Sequence, residues 1–187
     1  MKPICFSGGA TGADHTWGLM ASDCGHSLIH YSFPGHNSVD PKYTKKLSRV
    51  ELDEADNYVE IAAKNMKRRW PTNNPKVNDL LRRNYFQIRS SDRIYAVANF
   101  LPDDKSKLKI SGGTCWAAQM YVDRWYADRN LKECELYFFD MTRNKWMQWW
   151  ETWIDIDRPP TPRGRYAGIG SRDITDDGIK AIFTVYG

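Results

Sequence analysis

Three glycine turns constrain the fold of this 187-residue chain more than any other feature of its sequence. Each turn follows an apolar run that reads as a strand and precedes helix-forming residues: Gly8, Gly9 and Gly12, then Gly112 and Gly113, then Gly168 and Gly170. Alternating strands and helices predict a mainly parallel sheet, in which such turns share one edge. Glycine lets backbone N–H groups approach a ligand, and a helix presents its positive end there, so the turns predict an anion site.

Apolar periodicity predicts the individual elements. Strands are expected over 2–7, 26–33, 93–100, 135–139 and 165–170, and helices over 13–20, 41–66, 76–91, 114–129 and 173–186. The apolar stripe of the second helix comprises Leu47, Val50, Ala55, Val59, Ala62 and Met66. The fold class is therefore α/β with helices on both faces of the sheet.

The tryptophan-rich stretch near the C-terminal end permits two interpretations. Residues 140–144 are expected to turn the chain back into 145–150 as an edge hairpin, although Trp146, Trp149, Trp150 and Trp153 also fit a helical stripe. We favour the hairpin. The proline-rich residues 158–165 then read as a linker within a single domain of residues 1–187.

Composition narrows the class of protein. The net charge is +4, and no apolar run approaches the length of about 18 residues that spans a membrane, so an anionic partner and no membrane are expected. No basic start leads into an apolar stretch, which argues against a secretory signal. Cys5, Cys24, Cys115 and Cys134 form no C-x-x-C pair, so reduced thiols in a cytoplasm are expected rather than disulfides or zinc.

Familiar cofactor and metal motifs are missing from the sequence. No turn matches G-x-x-x-x-G-K-S/T or G-x-G-x-x-G, which argues against ATP hydrolysis and ordinary hydride transfer, and no cofactor is expected. His26 and His30 would lie about 13 Å apart on a strand, too far to share one ion, so no metal is expected either.

Taken together, these motifs resemble the SLOG superfamily of Rossmann-like nucleotide-binding domains, within it the YpsA-related branch common in bacteria and bacteriophages. The resemblance spans nearly the whole chain and rests on the stretches SGGATGAD, Arg83-Asn84, Gly112-Gly113-Thr114 and YAGIGSR. It implies a ligand site formed by Ser7, Gly8, Gly9, Thr11, Gly12, Asp14, Arg83, Asn84, Gly112, Gly113, Thr114, Gly170, Ser171 and Arg172.

The order of these motifs departs from that of many relatives. There the G-I-G-S-R strand and its helix come first, whereas here they come last, so the chain resembles a circularly permuted member. Permutation requires adjacent termini, and we expect residues 2–7 and 166–170 to be neighbouring parallel strands. The alternative is that residues 165–187 begin a truncated second domain.

The resemblance also bears on catalysis. Relatives of the LOG type cleave the N-glycosidic bond of nucleoside monophosphates with an arginine and a glutamate in P-G-G-x-G-T-x-x-E. Arg83 matches the arginine, but Gln119 stands where the glutamate is expected, and an amide cannot take a proton. This favours binding without hydrolysis, unless Asp14 or Asp140 supplies the carboxylate.

The leading hypothesis is binding of a nucleotide or nucleotide-derived molecule, such as an ADP-ribose-like signal. Arg83 and Arg172 are expected to hold phosphate, while Asp14 either accepts hydrogen bonds from a ribose or stabilises its helix. The alternatives are a LOG-type N-glycosidase and a binder of single-stranded nucleic acid that uses the tryptophans and the basic residues 67–69. The oligomeric state stays open, homo-oligomers included.

Overall fold

One sheet of eight strands organises the protein in a computed structural model that describes residues 2–128 and 133–187. The strands lie in the order β3-β2-β1-β8-β4-β5-β6-β7. They are β1 (Ile4–Ser7), β2 (Ser27–Ser32), β3 (Thr44–Lys46), β4 (Arg93–Ala98), β5 (Leu136–Asp140), β6 (Lys145–Trp149), β7 (Trp153–Ile156) and β8 (Arg165–Gly170). All pairings are parallel except those of β6 with β5 and β7.

Helices cover both faces of this sheet. The helices are α1 (Ala13–Asp23), α2 (Arg49–Glu54), α3 (Asp56–Asn65), α4 (Pro75–Ile88), α5 (Gly112–Ala127) and α6 (Asp176–Tyr186). One apolar core lies under α1 and α6, and a larger one lies under α3, α4 and α5. This confirms the predicted α/β class with a mainly parallel sheet and an antiparallel edge hairpin.

The C-terminal strand lies in the centre of the sheet. β8 pairs in parallel with β1, Cys5 facing Tyr166, and with β4, Tyr95 facing Gly168. The expected neighbourhood of residues 2–7 and 166–170 is therefore confirmed, and residues 165–187 are not detached. The linker reaches β8 across the face of the sheet, where Tyr95 Oη donates to the Pro160 carbonyl at 2.8 Å.

The predicted helix over 41–66 is wrong in its first part. A 3-10 turn at Pro41–Tyr43 leads into β3, and α2 starts only after Ser48. A capping box fixes this start, because the Ser48 side chain accepts from the Glu51 N–H and the Glu51 carboxylate accepts from the Ser48 N–H. Val50, which was placed on the apolar stripe, is 73% exposed.

The remaining predicted elements are confirmed within a few residues. The predicted end of one helix at Arg129 lies outside the described residues. Trp146 and Trp149 lie in β6 and are buried, so the helical interpretation of the tryptophan stretch is wrong. Trp153 belongs to β7, a strand that the sequence did not predict, and its indole N–H donates to the Leu108 carbonyl at 2.8 Å. None of the helices in the described ranges is long and apolar enough to cross a membrane.

Candidate functional site

A cleft of about 550 Å³ lies at the carboxyl ends of β1, β8 and β4. From β1 the chain continues outward to β2 through α1, and from β4 it continues to β5 through α5 on the opposite face. Parallel sheets bind ligands where the strand order reverses in this way. Nine of the residues that the sequence proposed line this cleft: Asp14, Arg83, Asn84, Gly112, Gly113, Thr114, Gly170, Ser171 and Arg172.

The first glycine turn supports the cleft from behind. Ser7, Gly8, Gly9, Thr11 and Gly12 are not among the described residues that line the cleft, so their contact with a ligand stays a prediction. A Cβ on Gly8 would lie 1.3 Å from Arg83 Nη1, so glycine there leaves room for the guanidinium. Gly12 has a φ of +82°. Its Cβ would meet the Arg172 carbonyl oxygen at 2.2 Å, so only glycine allows the first and third turns to touch.

Gly9 faces away from the cleft. A Cβ there would lie 2.3 Å from Ser38 Oγ and 3.0 Å from His30 Cβ, and the residue has a φ of +61°. Its carbonyl accepts from the Val39 N–H at 2.9 Å. Gly9 therefore anchors the loop that follows β2.

A buried ion pair joins the two sides of the cleft. Arg83 Nη1 donates to Asp14 Oδ2 at 3.4 Å, and both side chains are less than a tenth exposed. Burial raises the pKa of the Asp14 carboxyl, and the charge of Arg83 opposes this rise. Burial likewise lowers the pKa of the Arg83 guanidinium, and Asp14 opposes that change. Arg172 lies close enough for its charge to act on both groups, so two arginines share one paired carboxylate.

The start of α5 presents free backbone donors to the cleft. Its N-cap, Ser111, makes no side-chain capping bond, because the Ser111 hydroxyl accepts from the Asn99 N–H instead. Asn84 of α4 holds the turn by donating to the Gly113 carbonyl at 3.0 Å. An uncapped N-terminus of a 16-residue helix attracts anions.

The third glycine turn, at Gly170 and Ser171, is hydrogen-bonded to the start of α1, which follows the first turn. The Ser171 N–H donates to the Val97 carbonyl at 2.8 Å, and the Ser171 carbonyl accepts from the Ala13 N–H at 2.9 Å. Gly170 is packed so closely that a Cβ would lie 2.3 Å from the Val97 carbonyl oxygen. This contact leaves the exposed Arg172 at the mouth of the cleft.

Sequence reasoning missed the apolar wall of the cleft and the cation beside it. The wall is formed by Val77, Leu80, Leu81, Trp116, Ala117 and Ile169. Arg68 also lines the cleft, binds Asp104 at 2.7 Å and lies over the Trp116 ring at 5.9 Å. Val77, Leu80 and Leu81 recur at helical spacing on α4 before Arg83, so the sequence contained a signal for this part of the wall. Arg68 lies within a run of basic residues, and such a run usually marks a solvated surface.

Neither Gln119 nor Asp140 belongs to the cleft. Gln119 lies on α5 and donates to Asp123 at 2.8 Å, away from the lining. Asp140 is fully buried and accepts from the backbone N–H groups of Phe100 and Thr142 and from Arg143. Asp14 and Asp173 are the carboxylates among the described lining residues.

Two histidines lie behind the cleft without reaching it. Burial lowers the pKa of both His30 and His36 to about 4. His36 Nδ1 forms a 2.9 Å hydrogen bond with Ser32 Oγ. Within the described ranges, no three side chains of histidine, cysteine, aspartate or glutamate lie together as metal ligands would.

Comparisons with protein-family models, with curated proteins and with solved structures found no match. The resemblance to the SLOG superfamily therefore stays a prediction from the sequence motifs.

Proposed function

We propose that the cleft binds a nucleotide or a nucleotide-derived molecule, with phosphate at the mouth and the base against the apolar wall. The resemblance suggests an ADP-ribose-like signal as one example. A protein of this kind senses or sequesters its ligand. The observation that carries the proposal is that Arg172 and the uncapped start of α5 line one cleft, while the charge of Arg83 in the same cleft is balanced by Asp14.

The charges at the mouth favour a phosphate over a neutral ligand. Arg172 is exposed at the rim, and no ion pair is described for it among residues 2–128 and 133–187. A guanidinium holds phosphate through parallel hydrogen bonds, and the helix terminus adds backbone donors. Arg172 and the two glycines at this terminus, Gly112 and Gly113, all line the cleft.

The interior of the cleft suits a planar ring. Leu80 and Val77 lie on α4 across from Trp116 on α5, and the width between these helices is set by the bond from Asn84 to Gly113. Asp14 lines the same cleft, and its carboxylate is the group that we assign to the ribose hydroxyls.

Calorimetry with a panel of nucleotides tests the proposal, preceded by mass spectrometry of small molecules released from the denatured protein. Arg172→Ala should weaken nucleotide binding about ten- to a hundredfold, since it removes a charge-assisted contact. The control is Lys67→Ala with Arg69→Ala, two exposed cations outside the cleft, which should leave the affinity unchanged. Loss of binding confined to the control, or no binding of any nucleotide, would overturn the proposal.

Hydrolysis receives less support from the same geometry. Asp14 is engaged by Arg83, and Asp173 is exposed at the rim, so no free buried carboxylate among the described residues faces the proposed base. Incubation with nucleoside monophosphates should therefore release no free base. Release would show that Asp14 or Asp173, the carboxylates that line the cleft, acts as the acid or base, and would make the protein an N-glycosidase.

A further inference from the structure

Two buried side-chain nitrogens without hydrogen-bond partners belong to residues that line the cleft. Gln87 is 2% exposed and its Nε2 has no partner, and Arg83 is 5% exposed and its Nε has none. Both residues line the cleft. They lie one turn apart on α4, at positions that share a helix face. Gly112, Gly113 and Arg172, by contrast, are exposed at the mouth.

Unpartnered donors that line a cleft are candidates for contacts with a ligand. Buried polar groups are nearly always hydrogen-bonded in folded proteins, because a donor withdrawn from water without a partner is costly. Here two such donors occur on one face of one helix, and that face lines a cleft. A ligand that places an acceptor between them would satisfy both.

The local charge indicates what kind of acceptor fits. The charge of Arg83 is already balanced by Asp14 at 3.4 Å, so a second anion at this depth would face the carboxylate of Asp14. A neutral acceptor meets no such repulsion. A carbonyl oxygen has two lone pairs, so it can accept one N–H of Gln87 Nε2 and the N–H of Arg83 Nε.

The surroundings of these donors are apolar. Leu81 is 4% exposed, Ala117 is 1% exposed and Ile169 is 2% exposed, and all three line the cleft. An apolar slot with two donors at its inner end fits the edge of a planar ring that carries an oxo group. It does not fit a hydrated phosphate.

From this arrangement we infer that Gln87 and Arg83 form an oxo-group subsite, which selects nucleotides whose base carries a ring carbonyl, as hypoxanthine does, over those with an amino group there, as in adenine. Gln87 is thus a specificity-determining residue. The inference rests on the proposed function and narrows its ligand class, since it places an oxo-base inside and phosphate at the mouth.

The experiment compares inosine monophosphate, adenosine monophosphate and ribose 5-phosphate by calorimetry on the full chain. Inosine monophosphate differs from adenosine monophosphate mainly at the C6 substituent. We expect it to bind about tenfold more tightly than adenosine monophosphate, and ribose 5-phosphate to bind more weakly than either. Gln87→Met, which keeps the side-chain length and removes the donor, should reduce the preference to within about threefold.

Gln119→Met is the matched control. Gln119 is also a buried glutamine on a helix beside the cleft, but its side chain donates to Asp123, so this variant should keep the full preference. Equal binding of the two nucleotides by the unmodified protein would overturn the subsite, as would an unchanged preference in Gln87→Met. These results leave the proposed function intact, whereas failure of all three ligands to bind contradicts the proposed function itself. If Gln87→Met does not fold, the relative affinity of the unmodified protein for inosine monophosphate and adenosine monophosphate still tests the oxo-group subsite.

Discussion

Asp14 and Arg83 lie 69 residues apart in the sequence, yet Arg83 Nη1 donates to Asp14 Oδ2 at 3.4 Å inside the protein. Asp14 stands in the first turn of α1 and Arg83 in the middle of α4, so the pair joins the helices of opposite faces across the end of β1. The Ser7 hydroxyl supports this arrangement by donating to the Asp14 carbonyl at 3.2 Å.

Breaking this pair from one side should destabilise the fold. Asp14→Asn leaves a buried guanidinium without a counter-charge, and removal of one partner of a buried pair costs about 3–5 kcal/mol. Arg83→Met should cost less, because the remaining carboxyl can become protonated, as its raised pKa favours. Urea unfolding of both single variants and of the double variant measures the coupling. Strictly additive losses would show that the two groups do not interact.

Glycine at position 8 should be required by Arg83 and not by the backbone. Gly8→Ala places a methyl group 1.3 Å from Arg83 Nη1 and 2.3 Å from Asp14 Oδ2, which forces the ion pair apart. We expect a loss of about 1–3 kcal/mol in the free energy of unfolding, as for other overpacked sites.

The control for this substitution is Gly113→Ala. The nearest atom to a Cβ there is Asn84 Nδ2 at 3.6 Å, an ordinary contact, and the residue lies in the first turn of α5. Alanine should therefore be neutral or stabilising by about 0.5–1 kcal/mol. Thermal unfolding that ranks the two variants in the opposite order would contradict the assigned packing around Gly8.

The sequence predicted most of the strands and helices and nine of the residues that line the cleft. The pattern of strand, glycine turn and helix recurs three times. It can be recognised locally because the backbone of each turn has requirements that only glycine meets. Gly12 and Gly170 are examples, because Gly12 lies against the Arg172 carbonyl of the third turn and Gly170 against the Val97 carbonyl of β4, and only glycine can approach so closely. Arg83 and Asn84 were found because of the resemblance, and both line the cleft.

The rest depended on tertiary contacts that no local pattern records. Thr44–Lys46 is short and polar, and it forms a strand only because β2 offers an edge to pair with. Trp116 and Leu80 line the cleft, yet their spacing is the same as that of ordinary core residues. Arg68 resembled a solvated charge until its contacts with Asp104 and the Trp116 ring were known.

Acid should destabilise the protein through two buried histidines. Burial lowers the pKa of His30 and of His36 to about 4, below the usual value of about 6.5, so the unfolded chain binds more protons between these limits. The free energy of unfolding is therefore not reduced by these histidines above a pH of about 6.5. It falls as the pH drops toward 4, by on the order of 3 kcal/mol for each histidine. Asp14, whose pKa is raised, contributes in the opposite direction.

Unfolding free energies at pH 7, 6 and 5 measure this slope. His36→Asn keeps a polar group near Ser32 Oγ and removes one titrating site, so its stability should decline less steeply toward pH 5 than that of the unmodified protein. An equal slope for the two proteins would show that His36 is not the group that resists protonation.

The position of β8 predicts that the chain order can be rearranged without loss of the fold. β8 rises between β1 and β4, α6 returns beside α1, and Tyr186 near its end donates to the Trp17 carbonyl at 3.4 Å. The end of α6 and the start of β1 thus lie at the same edge of the sheet, and a short glycine-serine linker should join Gly187 to Lys2.

A permuted chain that begins at Gly164 and ends before the proline-rich residues 158–165 should keep its circular dichroism spectrum, and its Tm should fall by no more than a few degrees. The control is the original chain with the same glycine-serine linker added after Gly187. If this control folds and the permuted chain does not, the proline-rich residues 158–165 are needed to place β8 between its neighbours.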